Sequence, residues 1–171
     1  MGESIRYACG MSFLGDFMLA SSAKGIVALE FGSTRTALKD ALLVRFLDVE
    51  LEKDEEGLAT AMHISGNLID GLTANSDLPL DLRGTSLEVD VWDMLQEIPS
   101  GQTTTYGALA AKLGILDARV VSEAVAANPV ALIVPCHRVI RKNGSISGYR
   151  WGVWRKRALL ARELEDARRT A

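Results

Sequence analysis

A chain of 171 residues with 48% hydrophobic and 24% charged residues is long enough for one sizeable core or two small domains, with the balance of a soluble globular protein. No stretch approaches the roughly 18 uninterrupted apolar residues of a membrane helix, and two distant cysteines, Cys9 and Cys136, argue against a disulfide framework and for a reducing cytoplasm. The net charge of −3 conceals an asymmetry: residues 1–100 carry 7 Lys+Arg against 17 Asp+Glu, whereas residues 101–171 carry 12 against 5, which suits one half meeting a polyanion unless the excess is only solvated helix charge.

The N-terminal "MGESIRYACG" pairs no basic segment with an apolar one, so no secretory signal is expected, and its match to a myristoylation start is loose. The first third reads as strands, with "FMLASS" and "GIVALEFG" separated by the turn-like "SAKG" as a hairpin. In "STRTALKDALLVRF", Leu38, Leu42, Leu43 and Phe46 fall at helical spacing behind a Ser33 or Thr34 cap. "EGLATAMHISGNLIDGL" is a second helical segment. Nothing in residues 1–80 has the look of chemistry.

A domain boundary is expected at "DLPLDLRG", giving 1–83 as an α/β domain and 84–171 as the domain with the chemistry. Thr85 and Glu88 have capping-box spacing and open a helix that ends before Pro99. A short helix from about Tyr106 to Leu113, stopped by Gly114, is followed through "ILD" by "ARVVSEAVAAN", stopped by Pro129. Two short helices on a tight turn read as a helix-turn-helix. The second helix offers Arg119, Ser122 and Asn128 among small apolar residues, so contact by shape is expected in preference to base readout. Arg119 stands at a helix N-terminus, where the macrodipole disfavours a cation; a surface pair with Asp117 or Glu123 is the alternative to a functional placement.

The run "VALIV" reads as a buried strand that Pro135 ends, delivering Cys136 to a turn. Burial raises a thiol's pKa, so a nucleophilic Cys136 needs a base or cation nearby. In an extended chain His137 points away from Cys136, and a bridging water or a sharp turn must join them.

"NP", "PCHRV", "GYRWG" and "LLARE" together resemble the O6-alkylguanine-DNA alkyltransferases, closest to the methyltransferase domain of the bacterial adaptive-response protein, over nearly the whole chain. The resemblance implies a mixed α/β fold: a small ribonuclease-H-like N-terminal domain, then a helical, winged-helix-like domain with the helix-turn-helix. It implies direct-reversal DNA repair, with the alkyl group of guanine O6, and of thymine O4, moving irreversibly to Cys136 in a single turnover. Its partner is double-stranded DNA containing O6-alkylguanine, with the base flipped from the minor-groove side. Carried over by position, His137 is the base acting through water and Glu163, beside Leu159, Leu160 and Leu164, orients it. Tyr106 donates toward the guanine, and Arg119 fills the gap left in the duplex, with Ser122 beside it on the DNA-facing helix. Asn128 ties that helix to the active-site turn. Val139, Tyr149, Arg150, Trp151 and Asn128 line the substrate pocket. No cofactor, metal or membrane is implied, and a cytoplasmic monomer is expected.

Two departures from the family pattern matter. The connection "GILDA" lacks the usual Pro-Lys and is a residue short. Arg150 and Trp151 replace small residues, which suggests that Trp151 narrows the alkyl pocket. The competing classes are a Cys–His hydrolase, a non-catalytic lesion binder and, least well matched, a sequence-specific repressor.

Overall fold

The computed structural model describes residues 2–146 and 148–171; Met1 and Ser147, which precedes the "GYRWG" motif, lie outside them. The chain folds as two compact units, one of Met1–Arg83 with Pro129–Ala131 and one of Gly84–Asn128 with Leu132–Ala171.

The first unit is built on a four-stranded sheet. Strands β1 (Ser4–Ser12), β2 (Gly15–Ser21) and β3 (Ile26–Gly32) form an antiparallel meander, and β4 (Glu50–Lys53) lies parallel to β1 at the edge, in the order β3-β2-β1-β4. Helix α1 (Arg35–Arg45) is capped by the Thr34 side chain and lays Leu38 and Leu42 on Ile5, Tyr7, Met18 and Val27 of the sheet. Helix α2 (Ala59–Ile69) contacts β1 and β2. Gly10 makes that approach possible, because a Cβ there would stand 2.9 Å from the side chains of Met62 and Phe17. The expected hairpin and both helices are present. Strand β4 has no signal in the sequence, since "ELEK" is short and mostly exposed and only Leu51 packs toward the core.

The second unit is helical. Helix α3 (Ser86–Gln96) opens on the capping box formed by Thr85 and Glu88 and buries Val91, Trp92 and Leu95. The Trp92 indole N–H donates 2.8 Å to the Ala124 carbonyl, fixing α3 against the helix that carries Ala124. After the short β5 (Thr104–Thr105), helix α4 (Tyr106–Leu113) is capped by Thr105 and ends on Gly114 at φ 68°, left-handed backbone that glycine adopts without penalty. Helix α5 (Ala118–Ala126) follows, capped by Asp117, and packs on α4 and α3 through Val121, Ala124 and Val125. Strand β6 (Val139–Ile140) pairs parallel with β5, and the long α6 (Val153–Thr170) closes the unit.

The expected strand at "VALIV" is absent. Only Val130 makes a bridge, to Leu29, and residues 131–134 turn, with Leu132 at φ 70°. The run is apolar because it is buried, not because it is extended: Val130, Ala131 and Val134 have no exposed surface and Leu132 only 5%. A proline at each end and a left-handed leucine, costing about 1 kcal/mol, break the ladder. Among the described residues no helix is long and apolar enough to cross a membrane.

Candidate functional site

Cys136 begins a single 3-10 turn, Cys136–Arg138, set immediately after the buried turn. Its backbone N–H donates to the Val134 carbonyl at 2.8 Å, and the Asn128 amide donates to the same carbonyl at 2.8 Å. Asn128 is fully buried at the end of α5 and also hydrogen-bonds the thiol, so one side chain ties helix to turn to sulfur. Burial pushes the Cys136 thiol up to about 11, against the pull of the Asn128 bond and of the Lys156 and Arg150 charges.

In a 3-10 turn successive side chains diverge by about a third of a revolution, so His137 faces a different way from Cys136. It is fully buried, and its Nε2 lies 2.7 Å from Glu163 Oε1. Arg138 embraces the same carboxylate, Nε donating to Oε2 at 3.0 Å and Nη2 to Oε1 at 2.8 Å, while Nη1 donates to the Ile98 carbonyl at 2.6 Å. Burial alone would raise Glu163, but the bonds from His137 and Arg138 outweigh it and hold the carboxyl at about 2. Burial lowers His137 in spite of Glu163. The resting cluster is therefore a neutral imidazole, a carboxylate and a guanidinium. An ionised carboxylate only accepts, so the proton sits on Nε2 and Nδ1 carries the lone pair. Nδ1 is buried and has no hydrogen-bond partner among the described residues.

An open cavity of about 410 Å³ lies over the thiol. Of the residues expected at the site, Tyr106, Arg119, Ser122, Cys136, Tyr149 and Arg150 line it. Asn128, Val139 and Trp151 are not on its wall: Val139 is fully buried, and Trp151 stands edge-on to Tyr149 with ring centroids 5.2 Å apart. Trp151 thus braces the wall that Tyr149 and Arg150 present, where a direct narrowing of the pocket was expected. The Tyr149 hydroxyl is buried without a partner among the described residues, and burial raises both it and Tyr106. Leu159 is buried under Glu163, but Leu164, expected on the same stripe, is 47% exposed.

Three charged residues of the site were not anticipated, among them Arg141 on the cavity wall. Arg138 shares Glu163 with His137. Lys156 is almost wholly buried yet lines the cavity, its Nζ donating to the Gly148 carbonyl at 3.3 Å; burial lowers its pKa and Cys136 opposes that. The signal for Lys156 lay in spacing, because Lys156, Leu159 and Glu163 fall on one stripe of α6. At the other end of the cavity Arg119 is 88% exposed and paired with Asp117, and the neighbouring Leu116 is fully exposed.

The family model for the DNA-binding domain of 6-O-methylguanine DNA methyltransferase matches residues 86–165. The chain is 40% identical to the bifunctional transcriptional activator/DNA repair enzyme Ada of Escherichia coli over 97% of its own length, but spans 47% of that relative. It is 37% identical to the inducible methylated-DNA–protein-cysteine methyltransferase of Bacillus subtilis, covering 85% of this chain and 82% of that one. Among solved structures, the Mycobacterium tuberculosis O6-methylguanine methyltransferase superposes with a TM-score of 0.79 at 33% identity, covering 94% of this chain and 93% of its own. The M. tuberculosis OGT in complex with DNA superposes with a TM-score of 0.77 at 34% identity, covering 95% and 93%. The mixed α/β architecture is that of these structures.

Proposed function

Because the chain belongs to the methylated-DNA–protein-cysteine methyltransferase family, we propose that it repairs DNA by moving the methyl group from O6 of guanine onto Sγ of its own Cys136, once per molecule. The observation that carries this reading is a thiol on the wall of an open cavity, next in sequence to a buried histidine locked by a carboxylate and an arginine.

The thiol's pKa sets the terms of the mechanism. Burial pushes the Cys136 thiol up to about 11, so the thiol form is favoured in the DNA-free protein. The thiol proton therefore leaves in the course of the reaction. His137 Nδ1 has the free lone pair to take it through one water, with Glu163 stabilising the imidazolium that forms. Lys156 and the Asn128 amide favour the developing sulfur charge. As the S–CH3 bond forms, the CH3–O6 bond breaks and its electron pair returns to guanine. Tyr106, half-buried on the cavity wall, donates to the departing base and is reprotonated from His137. The net change is one proton moved from thiol to guanine and one thioether formed, with no cofactor.

A guanine inside a duplex does not reach this cavity, so the nucleotide is flipped out from the minor-groove side at a cost of a few kcal/mol. Arg119, beside the cavity on α5, offsets that cost by filling the gap. O4-methylthymine presents the same alkyl–oxygen bond and enters by the same route. The bound duplex of the M. tuberculosis OGT supports DNA as the partner, and the protein acts as a cytoplasmic monomer.

The test is nucleoside analysis of a duplex carrying one O6-methylguanine, incubated with increasing protein. One guanine restored per chain, with no further conversion over time, fits the proposal. Conversion beyond one per chain would show a turning-over enzyme, and tight binding without conversion a lesion sensor.

A further inference from the structure

The turn between α4 and α5 holds an ion pair for which the transfer chemistry has no use. Asp117, the cap of α5, accepts the backbone N–H of Arg119 at 3.0 Å and also grips its guanidinium. Arg119 Nε stands 3.1 and 3.3 Å from the two carboxylate oxygens, and Nη2 stands 2.9 Å from Oδ2. The two side chains are 88% and 47% exposed, so no packing holds them there. The macrodipole repels a cation at this helix end, and without the carboxylate the guanidinium would point freely into solvent. The connection of residues 114–117 ends on an acidic residue at the cap, two positions before the arginine.

We propose that Asp117 stows Arg119 in the DNA-free protein, and that a duplex draws the arginine off its own helix cap. The inference rests on the reading of α5 as the DNA-facing helix. Asp117 is then a positioning residue: it accepts the guanidinium in the free state and gives it up when phosphates and an opened base step offer a better site. An exposed pair of this kind is weak and screened by salt, which lets the exchange be fast. Release leaves the Asp117 cap on the backbone N–H intact, so α5 keeps its start.

The test is a double-mutant cycle on duplex binding with Asp117→Asn and Arg119→Ala, singly and combined, because asparagine caps a helix as well as aspartate. Each variant is checked by far-UV circular dichroism and thermal melting. With Arg119 present, Asp117→Asn should bind an undamaged duplex about threefold tighter at low salt, with the gain shrinking as salt rises. In the Arg119→Ala background the gain should vanish. A gain that persists without Arg119 would mean general repulsion of phosphate, and weaker binding by a folded Asp117→Asn would mean that Asp117 presents the arginine; either overturns the inference. In the DNA-free protein the Arg119 Nε–H should exchange with solvent more slowly than in Asp117→Asn, and equal rates would also overturn it. Methyl transfer by the wild type is measured in the same samples. Its absence would sink the proposed function, whereas the side-chain exchange still reports on the stowed pair.

Discussion

Glu163 serves two neighbours at once, and that doubling decides what its loss does. It accepts from His137 and from two nitrogens of Arg138 while only 4% exposed. Glu163→Gln keeps the shape but leaves a buried guanidinium without its counter-charge, and breaking a buried pair costs about 3 kcal/mol. Urea denaturation should show a loss of that order; a change within about 0.5 kcal/mol would mean that Arg138 is neutralised elsewhere. The same cluster sets a pH dependence. The folded pKa of His137 lies below its ordinary 6.5, so the unfolded chain binds a proton there that the folded chain refuses. The stability this histidine lends is present above 6.5 and declines as pH falls below it. Glu163, held at about 2 against an ordinary 4.5, adds stability that is present above 4.5 and lost as pH falls toward 2. As pH falls below 6.5 the unfolding free energy should fall by up to about 1.4 kcal/mol per unit, and His137→Gln should flatten that arm. An unchanged slope would place the proton uptake on another group. At this scale the cysteine and histidine were legible from "PCHRV", because adjacent residues need no fold to be neighbours. The arginine on the back of Glu163 was not, since residues 25 apart meet only through the packing of α6.

Elements were legible where local chemistry dictates them. The capping box at Thr85 and the Gly114 stop act within one turn of helix, so sequence spacing suffices. Gly114 allows a clean test, because a Cβ placed there meets nothing within 4 Å while φ is 68°. Gly114→Ala should therefore cost about 1 kcal/mol from backbone conformation alone, seen as a lower melting temperature with unchanged helix content. No loss would show that the end of α4 relaxes freely. The turn at 131–134 was illegible for the opposite reason. β-branched apolar residues suit a strand and a buried turn equally, and the choice between them rests on tertiary burial and two prolines. Strand β4 escaped notice because its pairing with β1 is long-range and only one of its side chains packs inward.

Taken whole, the charge pattern softens once it is counted by folded unit. The second unit recovers the acidic residues of α3, so it carries 12 Lys+Arg against 9 Asp+Glu, and the first carries 7 against 13. The basic excess of residues 101–171 is thus partly a matter of sequence order, and the proposed DNA binding would draw on the side chains placed around the cavity, Arg119, Arg141 and Arg150 among them, more than on bulk charge. The site itself joins α4, α5, the 3-10 turn and α6, four successive segments that one unit folds together. That convergence is the central claim: a buried, resting thiol made reactive once, in the presence of its base. The most direct test is the intact mass of the protein after incubation with a duplex containing O6-methylguanine, with peptide mapping and Cys136→Ala in parallel. The account predicts a gain of one methylene per chain, on Cys136 alone, saturating at one and absent from the variant. An unchanged mass, or a methyl mapped to Cys9, would contradict it.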